Sequence, residues 1–460
     1  MTTDARDTAS MEGASTLALD VEHLIGEASW GGFQKAILVL ISLAVLLDGL
    51  DNQLMGFAAP AIIADWRLSP AQMVPILGLG IVAMTLGTAV AGLLGDRFGR
   101  RPTLIASVAL FGASTCAMAF SGSLPILMAL RLIAAFGLGG AMPIATAMLA
   151  EFTPFRHRAL AITLGIVCVP LGGLLAGILS SAILPDWGWR RLFLIGGMLP
   201  LMVACIFLRL LPESPRFLLR QAGGEARLRK ICSRCGIAIP AGATLIVNDH
   251  GDEQNRSLLS AILAPGLRKE TLLLWAAFFG CLQAVYLVFN WAPTLLAAHG
   301  ADLRLASIGL AAFNLGGVAG ATFAAFQIDR LGSRRPMIIM GGGAALVAAI
   351  VGFLSPQLTD LFRITVIFAT IGALASGLQT SLFALAAHVY PTRIRGTGVA
   401  FALGVGRIGA VGSASAGAWA ISGGSATYFI TLASSIGAAT IALGFMKSHS
   451  PRIGKPHPGA

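Results

Sequence analysis

Long apolar stretches separated by short clusters of charge constrain this chain more than any other feature. A helix of about 20 residues is about 30 Å long, which matches the hydrocarbon layer of a bilayer. Of the 460 residues, 56% are hydrophobic and only 12% are charged, unlike ordinary water-soluble domains. The sequence predicts an all-α membrane protein with twelve transmembrane helices, at residues 37–60, 72–95, 103–121, 124–148, 159–183, 190–211, 271–297, 304–328, 336–354, 360–386, 396–421 and 425–446.

A long polar segment divides the predicted spans into two sets of six. We expect residues 36–211 and 271–446 to form two six-helix bundles, with residues 212–270 as a central cytoplasmic loop. Residues 1–35 lack the basic and short apolar regions of a signal peptide, so we expect a disordered cytoplasmic tail. Residues 447–460 form a second predicted cytoplasmic tail.

Basic residues concentrate in alternate connections between the predicted spans. With both termini in the cytoplasm, the inner connections and tails carry fifteen Lys and Arg without the central loop, whereas the outer connections carry five. Basic residues near membrane spans favour the cytoplasmic side. The charge pattern therefore predicts cytoplasmic termini and explains the net charge of +11 without a nucleic-acid partner.

Two loop segments recur in the two halves of the chain. Residues 94–102 recur as residues 327–336 with one inserted residue, each after the second span of its half. Residues 154–158 recur as residues 391–395, each after the fourth span. This pattern indicates a parallel duplication, which places a substrate path between the two halves near the middle of the membrane.

Several of these segments resemble a known family of membrane proteins. Residues 92–102 resemble the signature between the second and third helices of the major facilitator superfamily, and Pro-Glu-Ser-Pro-Arg at 212–216 resembles the motif after its sixth helix. Asp48-Gly-Leu-Asp51, followed by residues 56–60, resembles the first-helix signature of the aromatic acid:proton symporters, the 4-hydroxybenzoate and benzoate type. Leu50 stands where that signature has an aromatic residue.

Further segments extend the resemblance to most of the chain outside the tails and the central loop. Residues 290–296 and 404–409 resemble the seventh- and eleventh-helix segments of the same symporters. The resemblance implies a bacterial inner-membrane importer of a small aromatic carboxylate, coupled to protons and working by alternating access. It also implies functional roles for Asp48, Asp51 and Arg407.

Four ionisable side chains lie deep in the predicted spans: Asp48, Asp51, Arg131 and Arg407. Each costs about 2.5–3.5 kcal/mol to insert, so we expect them to be paired or to line a wet cavity. The two aspartates share one side of a helix and repel one another, so one of them can carry a proton. We expect Arg131 to be their counter-ion and Arg407 to hold a substrate carboxylate bidentately. The alternative is that all four form static ion pairs.

A second set of residues is predicted to contact the substrate ring. Aromatic side chains stack on a ring, and amides hydrogen-bond its hydroxyl groups. Each of these residues is alternatively a core or packing residue. The set comprises Tyr286, Trp291, Phe383, Gln283, Asn290 and Gln379.

A third set lies in the inner connections. The family resemblance implies that these residues hold the inner face closed in one state of the cycle, and the alternative is that the arginines only fix topology. The predicted gating residues are Asp96, Arg97, Arg100, Arg101, Glu151, Asp329 and Arg330.

No nucleophile with a partnered base and no complete set of metal ligands stands out, so we predict neither an enzyme nor a metal or other cofactor. Cys232 and Cys235 form a lone CxxC without a second ligand pair. The partners are predicted to be an aromatic acid, protons and the lipid bilayer, and the chain is predicted to be a monomer. The open alternatives are a symporter for a sugar or another organic acid, a drug exporter, and a membrane sensor of aromatic acids.

Overall fold

A computed structural model describes residues 18–221, 223–240, 243–246, 261–354, 358–391 and 394–449. The first half of the chain and the segment after it contain β1 (Ala18–Asp20), α1 (Val21–Glu27), α2 (Gly32–Trp66), α3 (Pro70–Phe98), α4 (Arg100–Met118), α5 (Leu124–Phe152), α6 (Phe155–Leu210), α7 (Pro215–Arg220), α8 (Glu225–Arg234) and β2 (Thr244–Ile246). The second half contains α9 (Arg268–Ala298), α10 (Leu303–Leu331), α11 (Arg334–Leu354), α12 (Leu361–Val389), α13 (Arg395–Ser422) and α14 (Gly424–Phe445).

Ten helices in the described part are long and apolar enough to cross a membrane: α2, α3, α5, α6 and α9 to α14. α6 has 56 residues, and its backbone leaves helical geometry at Gly188 (φ 74°), so it consists of two helices joined end to end. α4 has 19 residues and begins with Arg100 and Arg101. Both parts of α6 together with α4 complete the two predicted sets of six helices, while the number of crossings and the side of the termini stay predictions.

The two halves pack in the same way. In the N-terminal half, α2 packs against α6 and α3 packs against α5. In the C-terminal half, α9 packs against α13 and α10 packs against α12. The first helix of each half therefore contacts the fifth, and the second contacts the fourth. This repeated pairing is what a parallel duplication predicts.

The halves meet most closely towards one face of the molecule. We call the face that carries α7 and α8 the inner face, following the charge pattern, and the opposite face the outer face. Gly56 of α2 lies against the backbone of Phe289 in α9, and Gly177 of α6 lies against Ala311 in α10. All four residues are nearer the outer than the inner ends of their helices. The two halves are therefore in close contact near the outer face.

Part of the predicted disordered tail is folded. Residues 18–20 form a parallel pair of strands with residues 244–246. In α1, Val21 and Ile25 are buried, and Glu22 forms a 3.2 Å ion pair with Arg158. The prediction of disorder is wrong for residues 18–27, and residues 1–17 lie outside the described part. The N-terminal segment thus joins the central segment at the inner face of the N-terminal half.

We predict that alanine at Gly409 destabilises the protein, whereas alanine at Gly412 of the same helix does not. A Cβ atom at Gly409 would lie 2.3 Å from the carbonyl oxygen of Phe279, so α9 and α13 would have to separate. Gly412 has open space within 4 Å, and alanine favours a helix. Overpacking costs about 1–3 kcal/mol, which thermal unfolding in detergent detects as a lower midpoint for Gly409→Ala. Equal midpoints for the two variants would contradict the packing.

Candidate functional site

A buried ion pair lies at the middle of the N-terminal half. The Arg131 guanidinium of α5 contacts Asp51 Oδ2 of α2 at 3.3 Å, and the Thr115 hydroxyl of α4 donates to Asp51 Oδ1 at 2.5 Å. Arg131 also donates to the main-chain oxygens of Asp51 at 3.3 Å and Asn52 at 3.1 Å. Asp51 is 0% exposed and Arg131 is 7% exposed. Three helices of one half therefore hold one carboxylate.

A narrow cavity of about 10 Å³, which is about the space of one water molecule, adjoins this ion pair and crosses the interface between the halves. Its polar lining consists of Asn52 and Arg131 from the N-terminal half and Tyr286 and Asn290 from the C-terminal half. The remaining lining is mostly apolar and comes from α3 and α5: Leu77, Gly80, Ile81, Met84, Ala135 and Leu138. An apolar cavity with a few convergent polar groups is typical of a small-molecule site.

Asp48 lies one turn before Asp51 on α2. Its side chain is 3% exposed, and in the described part of the chain its Oδ1 atom is buried without a hydrogen-bond partner. Asp51, Arg407 and Arg131 act on it electrostatically. Since burying an unpartnered ionised carboxylate is costly, this position favours a group that binds a proton or a cation.

Arg407 of α13 reaches across the interface. Its Nη2 atom donates to the Thr88 hydroxyl of α3 at 3.3 Å, and Thr88 donates in turn to the carbonyl oxygen of Gly139 in α5 at 2.9 Å. Tyr286 and Asp48 act electrostatically on the Arg407 guanidinium. Among the described residues, no carboxylate forms a salt bridge with Arg407, in contrast to Arg131. An arginine of this kind can accept an anion.

The predicted ring-binding residues divide into two groups. Tyr286 and Asn290 line the cavity, and Asn290 also donates to the Ser413 hydroxyl at 3.4 Å. Trp291 is fully buried, and its indole packs against Gly417 of α13 inside the C-terminal half, which fits the packing alternative. Gln283 lines a separate crevice between α9, α13 and α14.

The other two predicted ring contacts lie on α12. Phe383 packs edge-to-face on the buried Phe278 with ring centroids 5.4 Å apart, and it remains partly exposed. Gln379 lies one turn away on α12 and is half-buried. Neither residue lines the narrow cavity.

Three of the predicted gating residues form contacts with one another or with the segment after α6. Arg100 forms an ion pair with Glu151, which also accepts a hydrogen bond from Ser214 in the Pro-Glu-Ser-Pro-Arg segment. The main-chain N–H of Arg101 donates to Glu213 of the same segment at 3.0 Å. These contacts join the first inner connection to the region after α6, all within the N-terminal half.

The remaining gating residues make fewer contacts. Asp96 and Arg97 are exposed, and the Arg97 guanidinium lies 5.3 Å from the ring centroid of Phe98. Arg330 is exposed and lies 4.0 Å from the ring centroid of Phe326. The Asp329 side chain lies outside the described part of the structure, so its predicted role stays a prediction.

The lone CxxC carries no sign of metal chemistry. Cys232 and Cys235 are buried at the end of α8, and burial raises the pKa of the Cys235 thiol to about 12, with a smaller contribution from Cys232. In the part of the chain that the structure describes, no group of three His, Cys, Asp or Glu side chains is arranged to hold a metal ion.

Sequence reasoning missed Thr115, Thr88 and Asn52. Hydroxyl groups in membrane helices commonly bond to the main chain of their own helix, as Thr146, Thr322 and Thr380 do here, so a threonine alone gives no signal. Asn52 belongs to the polar run Asp51-Asn-Gln53 in an otherwise apolar helix. That run could have indicated this side chain.

We predict that Thr115→Val lowers the thermal stability of the protein, whereas Thr115→Ser retains it. Valine keeps the shape but removes the hydroxyl that donates to Asp51 at 2.5 Å, and losing a hydrogen bond to a charged group costs about 1.5–3 kcal/mol. The pH dependence of thermal unfolding in detergent of each variant is the measurement. A displaced pH profile in the valine variant and a normal one in the serine variant indicate that Thr115 positions the carboxylate. Identical profiles would contradict that role.

Comparison with known proteins agrees with this architecture. The family model described as Major Facilitator Superfamily matches residues 41–414, and a further match covers residues 274–458. The chain belongs to the major facilitator superfamily. Members of the major facilitator superfamily are membrane transporters rather than enzymes, so the chain is a multi-pass membrane transporter.

Relatives and solved structures support the same assignment. The chain is 36% identical over 405 residues to the 4-hydroxybenzoate transporter PcaK of Pseudomonas aeruginosa, covering 87% of this chain and 88% of the relative. It is 35% identical to a gallate transporter of Pseudomonas putida, covering 85% and 87%. The inward-open xylose transporter XylE from E. coli aligns with a TM-score of 0.70 at 18% identity, covering 91% of this chain and 97% of XylE. The XylE likeness shows the major facilitator superfamily fold alone.

Proposed function

We propose that this transporter imports a small aromatic carboxylate together with a proton across a bacterial inner membrane. The observation that carries the proposal is that two arginines near the interface between the halves differ in whether they form a salt bridge. Arg131 is ion-paired with Asp51, whereas Arg407 has no salt bridge among the described residues and faces the same region from the other half. One arginine therefore accompanies a carboxylate of the protein, and the other is available for a carboxylate of the substrate.

The substrate class is supported by the relatives and by the cavity. The relatives named above carry 4-hydroxybenzoate and gallate, which are both hydroxylated benzoates. The cavity between the halves marks where a ring could bind once the halves move apart, and Tyr286 and Asn290 in its lining provide groups that can hydrogen-bond a ring hydroxyl. We therefore assign the ring to this cavity and the carboxylate to Arg407.

The transported proton binds to Asp48 or Asp51. When Asp51 or Asp48 is protonated, the attraction that holds Arg131 weakens, while Arg131 keeps its bonds to the main-chain oxygen of Asn52. Substrate binding at Arg407 brings one negative charge, which offsets the charge of the added proton. With proton and substrate both bound, the site has the same net charge as the empty site, and the halves can rock about it and expose it to the other side of the membrane.

Coupling to a proton offsets the electrical cost of importing an anion. Moving one anion into a cell whose interior is negative costs about 2.3 kcal/mol per 100 mV. One accompanying proton removes this cost, and each further proton lets the membrane potential itself drive uptake. A carboxylate carrier that accumulates its substrate therefore needs at least one proton site close to the anion site.

Competition for uptake tests the substrate class. Purified protein in liposomes is supplied with labelled 4-hydroxybenzoate, with the medium more acidic than the interior, and unlabelled compounds are added in excess. We expect benzoate, gallate and other ring carboxylates to compete, and glucose and cationic dyes to leave uptake unchanged. Competition by glucose without competition by benzoates would favour the sugar alternative and reject the proposal.

A further inference from the structure

A reciprocal pair of side-chain amides joins the two halves of the molecule. Gln53 Nε2 of α2 donates to Asn314 Oδ1 of α10 at 3.0 Å, and Asn314 Nδ2 donates to Gln53 Oε1 at 2.8 Å. Asn314 Nδ2 also donates to the carbonyl oxygen of Leu310 at 3.0 Å. Both side chains are 1% exposed. Each amide therefore provides hydrogen bonds to the other in a region that is closed to solvent.

Close packing with a third helix surrounds the pair. A Cβ atom at Gly173 of α6 would lie 2.1 Å from Gln53 Nε2 and 2.5 Å from Asn314 Oδ1. Slightly further out, Gly177 of α6 faces Ala311 of α10. α2 and α6 of one half and α10 of the other therefore converge on these two amides. The space that the amides occupy exists because Gly173 has no side chain.

We propose that Gln53 and Asn314 form the lock that holds the outer side closed, a proposal that rests on the alternating-access function above. While the halves are closed, the two buried amides pair with each other, and Asn314 also donates to the carbonyl oxygen of Leu310 in its own helix. When the outer side opens, water enters and replaces both bonds, so the lock opens without leaving a polar group unpaired. Because the pair carries no charge, it does not disturb the neighbouring ion pair.

The lock lies in the same helical turn as the proton site. Asp51, Asn52 and Gln53 are consecutive in α2. Asp51 bonds to Arg131 and Thr115 within its own half, whereas Gln53 bonds to Asn314 in the other half. A shift of this turn after protonation of Asp51 changes the geometry at Gln53. The turn thus connects the state of the proton site to the closure of the outer side.

Cysteine accessibility tests the lock without any substrate. The reporter is Ala311→Cys, in a chain whose six native cysteines are replaced by alanine. Ala311 is buried between the halves and lies nearer the outer face than the amide pair. Right-side-out vesicles are treated with a membrane-impermeant thiol reagent. We expect Gln53→Leu or Asn314→Leu to raise the labelling rate about fivefold or more, because closure leaves one amide unpaired.

The double variant and a control make the test specific. Gln53→Leu combined with Asn314→Leu removes the bonds but leaves neither amide unpaired, so its labelling rate should lie between those of the single variants and that of the unmodified pair. The control is Ser307→Ala, which removes a buried hydroxyl on α10 that bonds only to Leu303 of the same helix, and it should not change labelling. Unchanged labelling in both single variants would overturn the proposal, and so would a double variant that labels as fast as the singles.

Two further outcomes are distinguishable. If a leucine variant does not reach the membrane, the exchanged pair Gln53→Asn with Asn314→Gln keeps both amides, and fast labelling of this variant would overturn the lock. If the unmodified chain transports no aromatic carboxylate, the proposed function fails, while the labelling result still decides whether the amide pair closes the outer side.

Discussion

Replacing Arg407 with leucine should reduce uptake of an aromatic carboxylate by about a hundredfold or more, and Arg407→Lys should recover only part of it. Leaving a substrate carboxylate in the site without its cation costs several kcal/mol, because removal of one partner of a buried charge pair typically costs 2–5 kcal/mol. Lysine keeps the charge but loses the planar fork that holds a carboxylate through two parallel bonds. Initial uptake rates at several substrate concentrations are the measurement, since the loss should appear mainly as weaker binding.

A matched control separates this effect from a general loss of positive charge. Arg363 is an exposed arginine at the start of α12, and Arg363→Leu should transport at the rate of the unmodified chain. Amounts of each variant in the membrane are compared so that rates refer to equal protein. An Arg407→Leu variant that keeps normal affinity for the acid would exclude Arg407 as the carboxylate site.

Replacing Asp51 with asparagine should abolish the acceleration of uptake by a proton gradient while leaving exchange of substrate across the membrane. Asparagine occupies the same space and still accepts a hydrogen bond from Thr115, but it cannot bind and release a proton. Substrate movement down its own gradient needs no proton step, so counterflow of labelled acid remains. The gradient-driven rate should fall to the rate of downhill movement, because no proton is bound and released at this position.

The double variant Asp51→Asn with Arg131→Gln provides the control for this result. It removes both charges, so it should recover the thermal stability that Asp51→Asn loses through an unpaired buried arginine. It should not recover coupling to protons. Gradient-driven accumulation by the single variant at the rate of the unmodified chain would place the proton site elsewhere.

Sequence analysis found the residues whose side chains cost the most free energy to insert into a membrane. A charged group in an apolar span stands out, so Asp48, Asp51, Arg131 and Arg407 could be identified, and the structure brings them to one region between the halves. The duplicated loops likewise predicted a parallel duplication, and each half does repeat the same helix contacts.

The contacts that sequence analysis missed involve residues without a comparable sequence signal. Threonine is common in membrane helices, so only the fold shows that Thr115 faces Asp51 and Thr88 faces Arg407. Trp291 and Tyr286 lie five residues apart on α9, yet Trp291 is packed inside its own half and Tyr286 lines the cavity. Their sequence context alone does not show which side of the helix meets the other half.

The folded N-terminal segment illustrates a different limit. A strand of three residues has almost no sequence signal, and its partner at residues 244–246, which has one buried position, lies in the segment between the halves. Neither strand is stable alone, and both depend on packing against the inner face of the N-terminal half. Local sequence therefore predicted a tail where long-range pairing produces structure.

Proton movement that accompanies the acid tests the central claim most directly. Liposomes containing the protein are suspended in weakly buffered medium with equal pH inside and outside, 4-hydroxybenzoate is added as its salt, and the external pH is recorded. After subtraction of protein-free liposomes, we expect the medium to become more alkaline as the acid enters, and we expect no such change with Asp51→Asn. Entry of the labelled acid into liposomes with the unmodified chain, without any alkalinisation of the medium, would contradict symport with a proton.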